Sequence, residues 1–217
     1  SSRRQRQMCI RDRLRYDTVV FDLLTGLIDS WSLWDEVAGC KKMGHKWRSR
    51  YLEITYETFE YKKYEDLVLL AAKDVGLNAE LAKNLFKKWN FLRPWPETNE
   101  ILKLISQKYL IGFATNCSIQ KGEEAMNVID INFNFYVTAE EVGYYKPHPS
   151  MYNRILEKMN STPNRTLFVA GSTFDVHGAK NIGMDVYWHN RIGLNNENKS
   201  ADHIEVSLHK LLDILDL

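Results

Sequence analysis

Four short stretches of the 217-residue sequence carry side chains able to act on a small anion. Asp22 closes the apolar run that begins at Tyr16, and Thr115-Asn116-Cys117-Ser118 follows a second such run. Lys146 lies in YYKPHPSMY, and Ser172 and Asp175 follow a later run in FVAGSTFDV. A carboxylate, a hydroxyl and amide pair, a cation and a second acid suit an anionic substrate and a covalent step on the carboxylate.

These side chains can meet only if the runs before them are strands of one sheet. Thr18-Val19-Val20-Phe21-Asp22 is β-branched and apolar, the pattern of a buried parallel strand. Comparable runs are Leu110 to Thr115, Phe133 to Val137, Thr166 to Ala170 and Asp185 to Trp188. Between them, residues 97–108 place Ile101, Leu102, Leu104 and Ile105 at helical spacing, and residues 150–159 do the same with Tyr152, Ile155 and Met159. Strand and helix in alternation predict an α/β fold with a doubly wound parallel sheet of Rossmann-like type. Ligands in such sheets bind beyond the carboxyl ends of the strands, where the polar residues above would lie. The alternation lapses over residues 31–94, which are helical in pattern and rich in aromatics (Trp31, Trp34, Trp47, Tyr51, Tyr56, Phe59, Tyr61 and Tyr64). The expected organisation is a core of residues 15–30 and 95–217, with residues 31–94 inserted after the first strand as a helical cap. Phe91-Leu92-Arg93-Pro94-Trp95-Pro96 serves as its return hinge, since prolines halt helices. The tail from Ser200 reads as a strand and a helix, with Leu208, Leu211, Leu212 and Leu215 at helical spacing.

Composition narrows the function. The chain is 44% hydrophobic and 26% charged with a net charge of +1. Six Arg and one Asp fall in the first 15 residues, so the remainder carries about −4. An acidic body is a poor nucleic-acid binder, and no apolar run is long enough to span a bilayer. Cys9, Cys40 and Cys117 make no CxxC pair, which suits a reducing compartment and a cytoplasmic location. Residues 1–14, SSRRQRQMCIRDRL, lack the apolar centre of a signal peptide and any periodicity tying them to the rest. They are expected to be an extraneous or disordered tail; the alternative, a transit peptide, is disfavoured by their short, non-amphipathic character.

The four stretches, in order, resemble the motifs of the haloacid dehalogenase superfamily: FDLLTGLIDSW the first, ATNCS the second, YYKPHPSMY the third and FVAGSTFDVHGAKNIGMDVYWHNR the fourth. The resemblance implies that Asp22 is the nucleophile. Phosphatases of the superfamily place a second aspartate two residues later, where Leu24 stands, and an acid that helps bind Mg²⁺ where Gly171 stands. Both departures are shared with the L-2-haloacid dehalogenase branch, which works without a metal or other cofactor. WRSRYLEITY also resembles that branch's cap helix, which implies that Arg48 receives the departing halide. By the same resemblance Asn116 assists, Thr115 binds the substrate carboxylate and Lys146 keeps Asp22 ionised. Tyr152 falls at the matching tyrosine, and Asp175 positions Lys146 and assists the hydrolytic water. The implied reaction is attack of Asp22 on C2 of a small 2-halo acid, then hydrolysis of the ester; halide leaves without a proton, so no acid is needed at Leu24.

The branch's Gly-Thr after the nucleophile is here reversed as Thr25-Gly26, so Thr25 serves only if the turn shifts. Ala170 and Ser172 stand where dehalogenases have serine and asparagine, positions that support neighbouring groups by hydrogen bonds. Plainer roles exist for each residue: Asp22 as a helix N-cap, Lys146 with Asp175 as an ion pair, Arg48 as a solvated helix arginine. Ser118 reads as a cap of the next helix and Cys117 as a small space-filler, and His148 and His177 receive no role. Three functions stay open: a metal-independent dehalogenase, an Mg²⁺-dependent phosphatase, and a non-catalytic protein that binds a ligand or protein in the crevice. Oligomeric state is open too; the dehalogenase branch often forms homodimers through the cap.

Overall fold

Thr18–Asp22 forms β1, buried at all five positions, which explains why its apolar residues run on rather than alternate. In the computed structural model, which describes residues 14–195 and 200–217, β1 sits inside a sheet of six parallel strands. The others are β2 (Leu110–Thr115), β3 (Phe135–Thr138), β4 (Thr166–Ala170), β5 (Asp185–His189) and β6 (His203–Glu205). Their order, β3-β2-β1-β4-β5-β6, is that of the doubly wound fold, and its crevice opens where the order reverses beside β1. The α/β expectation is met. β3 starts later than its apolar run because Asn134 caps the strand: its N–H donates to Ile111 C=O at 3.0 Å, and its side chain accepts from Ile111 N–H at 2.8 Å. The expected tail, residues 1–14, lies, but for Leu14, outside the described residues.

Between β1 and the return at Pro94 the chain forms the α-helices α1 (Ser30–Ala38), α2 (Lys41–Thr58), α3 (Tyr64–Asp74) and α4 (Ala79–Lys87). A pair of hydrogen bonds joins the two crossings of the chain, Asp29 N–H to Arg93 C=O at 2.8 Å and Trp95 N–H to Leu27 C=O at 3.0 Å. The aromatic residues make the helices' interior. Trp34 packs on Trp47 and Tyr51 with ring centres 4.6 and 5.4 Å apart, and Tyr51 meets Tyr64 edge-on. Trp47 Nε1–H donates to Val68 C=O at 3.0 Å, satisfying the polar end of a fully buried ring. Phe59 departs from the aromatic-core pattern: it caps α2 with φ +46° and stands exposed.

Beyond the insertion, α5 (Thr98–Ile105) follows the return, α6 (Ile119–Met126) follows β2 and α7 (Ala139–Val142) follows β3. α8 (Pro149–Lys158) precedes β4, α9 (Thr173–Ile182) follows it, and α10 (Lys210–Ile214) ends the chain. α5 buries Ile101, Leu102 and Ile105, the stripe that the spacing predicts. Of the tail leucines, Leu208, Leu211 and Leu215 are buried.

The crossing of α1 and α2 depends on Gly44. A methyl group there would lie 2.3 Å from Asp35 Oδ1, 2.4 Å from its Cα and 2.6 Å from its N. Alanine gains about 1 kcal/mol in an ordinary helix, but overpacking against a neighbouring backbone costs about 1–3 kcal/mol, and contacts this short belong at the upper end. Gly44→Ala is therefore expected to lower the unfolding free energy by about 1–2 kcal/mol, read as a lower urea midpoint at unchanged slope; an equal or higher midpoint would refute the close crossing.

Candidate active site

Asp22 ends β1 and opens a wide turn, Leu23–Leu27, whose hydrogen bonds span five residues rather than four. The turn curls the backbone round the carboxylate. Thr25 N–H and Gly26 N–H each donate to Asp22 Oδ2 at 3.1 Å, and the Thr25 hydroxyl donates to the same oxygen. The N-cap role and an activated carboxylate thus coincide. The reversed Thr25-Gly26 order is also accounted for, because the wide turn brings the Thr25 hydroxyl back onto Asp22. Oδ1 accepts the Lys146 ammonium at 2.8 Å.

Lys146 Nζ also donates to Asp175 Oδ2 at 2.8 Å, and all three charged groups are almost fully buried. Burial alone would raise the Asp22 pKa. The Lys146 charge, with hydrogen bonds from Lys146, Thr25 and Gly26, outweighs it and holds the carboxyl below the usual range. Burial pushes Asp175 up to about 6, the ammonium opposing and the Asp22 charge adding to the rise. Burial disfavours the charged form of Lys146 too, but its two carboxylates reverse the effect and raise its pKa.

Each member of the triad is held from behind. Asn116 Oδ1 accepts from Lys146 N–H at 2.6 Å, and Asn116 Nδ2 donates to Lys146 C=O at 3.1 Å. Tyr152 donates its hydroxyl to Asp175 Oδ1 at 2.8 Å, and Ser172 Oγ accepts Asp175 N–H at the start of α9. Tyr152 and Ser172 therefore stand behind Asp175, each bonded to it. Tyr152 is sealed from solvent by its packing on Phe168, and Ser172 is engaged by the Tyr56 hydroxyl at 2.7 Å. Ser118 caps α6 as the sequence suggests and also donates to Glu65 at 2.8 Å. Cys117 is buried, and burial raises its thiol to about 12, which leaves it unreactive.

Above the triad a cavity of about 20 Å³, the size of a water molecule, has Asp22, Thr25, Thr115, Asn116, Lys146 and Asp175 as its floor. The Thr115 hydroxyl donates to Cys117 Sγ at 3.4 Å. Leu24, Arg48, Tyr51, Leu52 and Tyr56 complete the walls. Arg48 is 1% exposed, far from a solvated helix arginine. Its guanidinium lies 4.9 Å from the Trp31 ring centre and 5.3 Å from that of Trp34. Among the described residues its Nε and Nη1 have no hydrogen-bond partner, so a buried cation keeps donors in reserve in the cavity that Asp22 also lines. Tyr51, Leu52 and Tyr56 were not among the sequence candidates. They follow Arg48 by three, four and eight residues and so share its helix face, a spacing that could have found them.

A magnesium ion requires several oxygen ligands, and these residues do not fit one. Among the described residues no three His, Cys, Asp or Glu converge on a common point. The Lys146 ammonium stands between the two carboxylates. At Gly171 a Cβ would fall 1.9 Å from Thr25 Oγ1 and 2.6 Å from Asp22 Oδ2, so the Thr25 hydroxyl fills the space that a third acid would need.

Residues 19–189 match the family model for haloacid dehalogenase-like hydrolases. The (S)-2-haloacid dehalogenase H-109 of Pseudomonas putida is 27% identical over 196 residues, covering 81% of this chain and 86% of that protein. A glyceraldehyde 3-phosphate phosphatase of Methanothermobacter thermautotrophicus is 34% identical over 125 residues, covering 54% and 53%. The fold superposes on the L-2-haloacid dehalogenase of Xanthobacter autotrophicus with chloropropionic acid covalently bound, with a TM-score of 0.82 at 19% identity over 93% of this chain and 98% of that one. With an aspartate at the end of the first strand of a doubly wound sheet and a family match across most of its length, the chain belongs to the haloacid dehalogenase-like hydrolases.

Proposed function

We propose that this hydrolase is a metal-independent 2-haloacid dehalogenase. The observation that carries the reading is Arg48, a buried cation with unused donors in the same cavity as Asp22, where Leu24 offers no proton. A phosphate ester needs its leaving oxygen protonated; a halide needs only an anion site. The similarity to a protein named (S)-2-haloacid dehalogenase over most of both chains supports the same choice.

In this reading Asp22 Oδ1, which accepts one hydrogen bond against three at Oδ2, keeps the electron pair that attacks C2. The C2–halogen bond breaks with its electrons on the halide, which Arg48 receives with the second N–H of the Asn116 amide. Thr115 holds the substrate carboxylate. Water then attacks the Asp22 ester at Cγ as Asp175 accepts one of its protons. The Cγ–O bond to the substrate breaks, and the other water proton passes to the departing alkoxide. Asp22 is restored as a carboxylate while a 2-hydroxy acid leaves with the configuration at C2 inverted. Lys146, Thr25 and Gly26 keep Asp22 ionised, while Tyr152 and Ser172 steady Asp175. Residues 31–94 act as the cap and residues 15–30 and 95–217 as the core. A cytoplasmic location belongs to the same reading, supported by the free thiols of Cys40 and Cys117.

L-2-chloropropionate should release chloride at the same rate with and without EDTA. Asp22→Asn should abolish release, and Arg48→Lys should lower kcat by about 100-fold, the usual loss when a positioned charge stabiliser is removed. The rate should rise with pH through about 6, as Asp175 ionises and becomes able to take a proton, then level off. No chloride release, with magnesium-dependent hydrolysis of p-nitrophenyl phosphate instead, would overturn the proposal.

Lys146→Met tests the charge arrangement without turnover. Removing one partner of a buried ion pair costs about 3–5 kcal/mol. Without the ammonium the two buried carboxyls should titrate above their unfolded value of about 3.9, so the folded variant would bind more protons than the unfolded chain, and its stability would fall as pH rises. The deficit in urea should accordingly be larger at pH 8 than at pH 5; equal deficits would mean that the carboxylates do not share this cation.

A further inference from the structure

The turn that cradles Asp22 closes with Ile28 N–H on Leu23 C=O at 3.1 Å, and a side chain meets each of the next four carbonyls. Leu24 C=O accepts the Ser30 hydroxyl, Thr25 C=O accepts Trp95 Nε1–H at 3.1 Å, Gly26 C=O pairs with His189 Nδ1 at 2.8 Å, and Leu27 C=O accepts the Thr98 hydroxyl at 2.9 Å. A carbonyl only accepts, so Nδ1 of His189 carries the proton. Buried carbonyls need partners, yet partners from four separate places do more than satisfy them.

A peptide unit is planar and trans, so its C=O and N–H point in opposite directions along one rigid plate. Leu24 C=O shares its plate with Thr25 N–H, and Thr25 C=O shares its plate with Gly26 N–H. These are the two amides that donate to Asp22 Oδ2. Ser30 and Trp95 therefore grip the far ends of the two plates whose near ends hold the nucleophile. Both are buried, Ser30 where the chain enters α1 and Trp95 where it returns from the inserted helices. Trp95 is steadied in turn by Arg191, 5.2 Å from its ring centre, and Arg191 pairs with Glu97 at 2.7 Å.

We propose that Ser30 and Trp95 are positioning residues that aim the Asp22 carboxylate through these two peptide plates, with His189 and Thr98 anchoring the next two. The inference rests on Asp22 being the nucleophile of the proposed reaction, but the geometry it concerns is measurable without turnover.

The test compares Ser30→Ala, Ser30→Thr and Trp95→Phe with the parent protein in ¹⁵N-labelled form. The Thr25 and Gly26 amide protons are identified by their response to Asp22→Asn, and thermal midpoints confirm folding. Ser30→Ala should move the Thr25 amide upfield and Trp95→Phe the Gly26 amide, as their bonds to the carboxylate loosen, while Ser30→Thr keeps the parent position. Chloride release should fall about tenfold in kcat in the two disrupting variants, an extent typical of a slightly misplaced reacting group, with KM within twofold and with Ser30→Thr close to the parent. If both amides stay in place in the folded variants, or if they move and kcat does not, the proposal is overturned. Should the parent release no chloride, the dehalogenase reading fails on its own, and the amide shifts alone decide whether Ser30 and Trp95 aim Asp22. If one disrupting variant does not fold, the other decides.

Discussion

One ammonium group between two buried carboxylates organises this molecule. Lys146 Nζ lies 2.8 Å from both Asp22 and Asp175. Desolvating three charges is costly, and only close mutual pairing offsets it. The sheet supplies that closeness, since Asp22 ends β1 and Asp175 lies in the first turn of α9, the helix that follows β4, the neighbour of β1 in parallel register. Lys146 arrives on the loop between α7 and α8. The surrounding hydrogen bonds then have one purpose, which is to leave no member of the triad free to turn away. Asn116 clips the lysine backbone, Tyr152 and Ser172 fix the second acid, and the wide turn encloses the first. Two like acids thereby acquire different characters: Asp22, with four donors, is kept anionic, whereas Asp175, with less support, is held near the threshold of protonation.

Gly171 and Thr25 show how one steric choice decides between chemistries. Where a third carboxylate would favour a metal, the structure has a glycine, and the threonine hydroxyl stands in the vacated space and donates to Asp22. The two residues form a matched pair, since any side chain at 171 would strike Thr25. Positive charge is supplied by two protein groups that line the cavity, Lys146 and Arg48. Lys146 spends two of its three N–H donors on the carboxylates, whereas Arg48 Nε and Nη1 have no partner among the described residues, so the arginine has the more donors for an arriving anion.

The sheet was legible in the sequence because buried parallel strands write themselves as unbroken apolar runs, and the runs ending at Asp22, Thr115 and Ala170 mark β1, β2 and β4 to the residue at their carboxyl ends. The acids and the lysine could be found because polar residues at strand ends face the crevice. The depth at which each side chain lies was not legible. Tyr152 and Ser172 are chemically able to touch a substrate, and only packing reveals that they stand behind Asp175. Arg48 misleads in the opposite direction, because burial of a helix arginine depends on two tryptophans fourteen and seventeen residues earlier. The Thr25-Gly26 reversal reads as a defect until the turn is known to be wide, and turn width leaves no signature in so short a segment.

The attachment of the inserted helices bears on how such a protein can be altered or can diverge. Their entry and exit are the places where Ser30 and Trp95 take hold of the peptide units around Asp22. The insertion is thus no detachable accessory that could be traded for another of similar length at a neutral seam. A chimera grafted between Ile28 and Pro94 would keep the strand, the acids and the lysine but lose the serine that steadies one of the two amides. A graft that began beyond Ser30 and ended before Trp95 would keep both. Heredity faces the same joint as the engineer: a new insertion keeps both of these bonds only in lineages that carry both ends of the old one along.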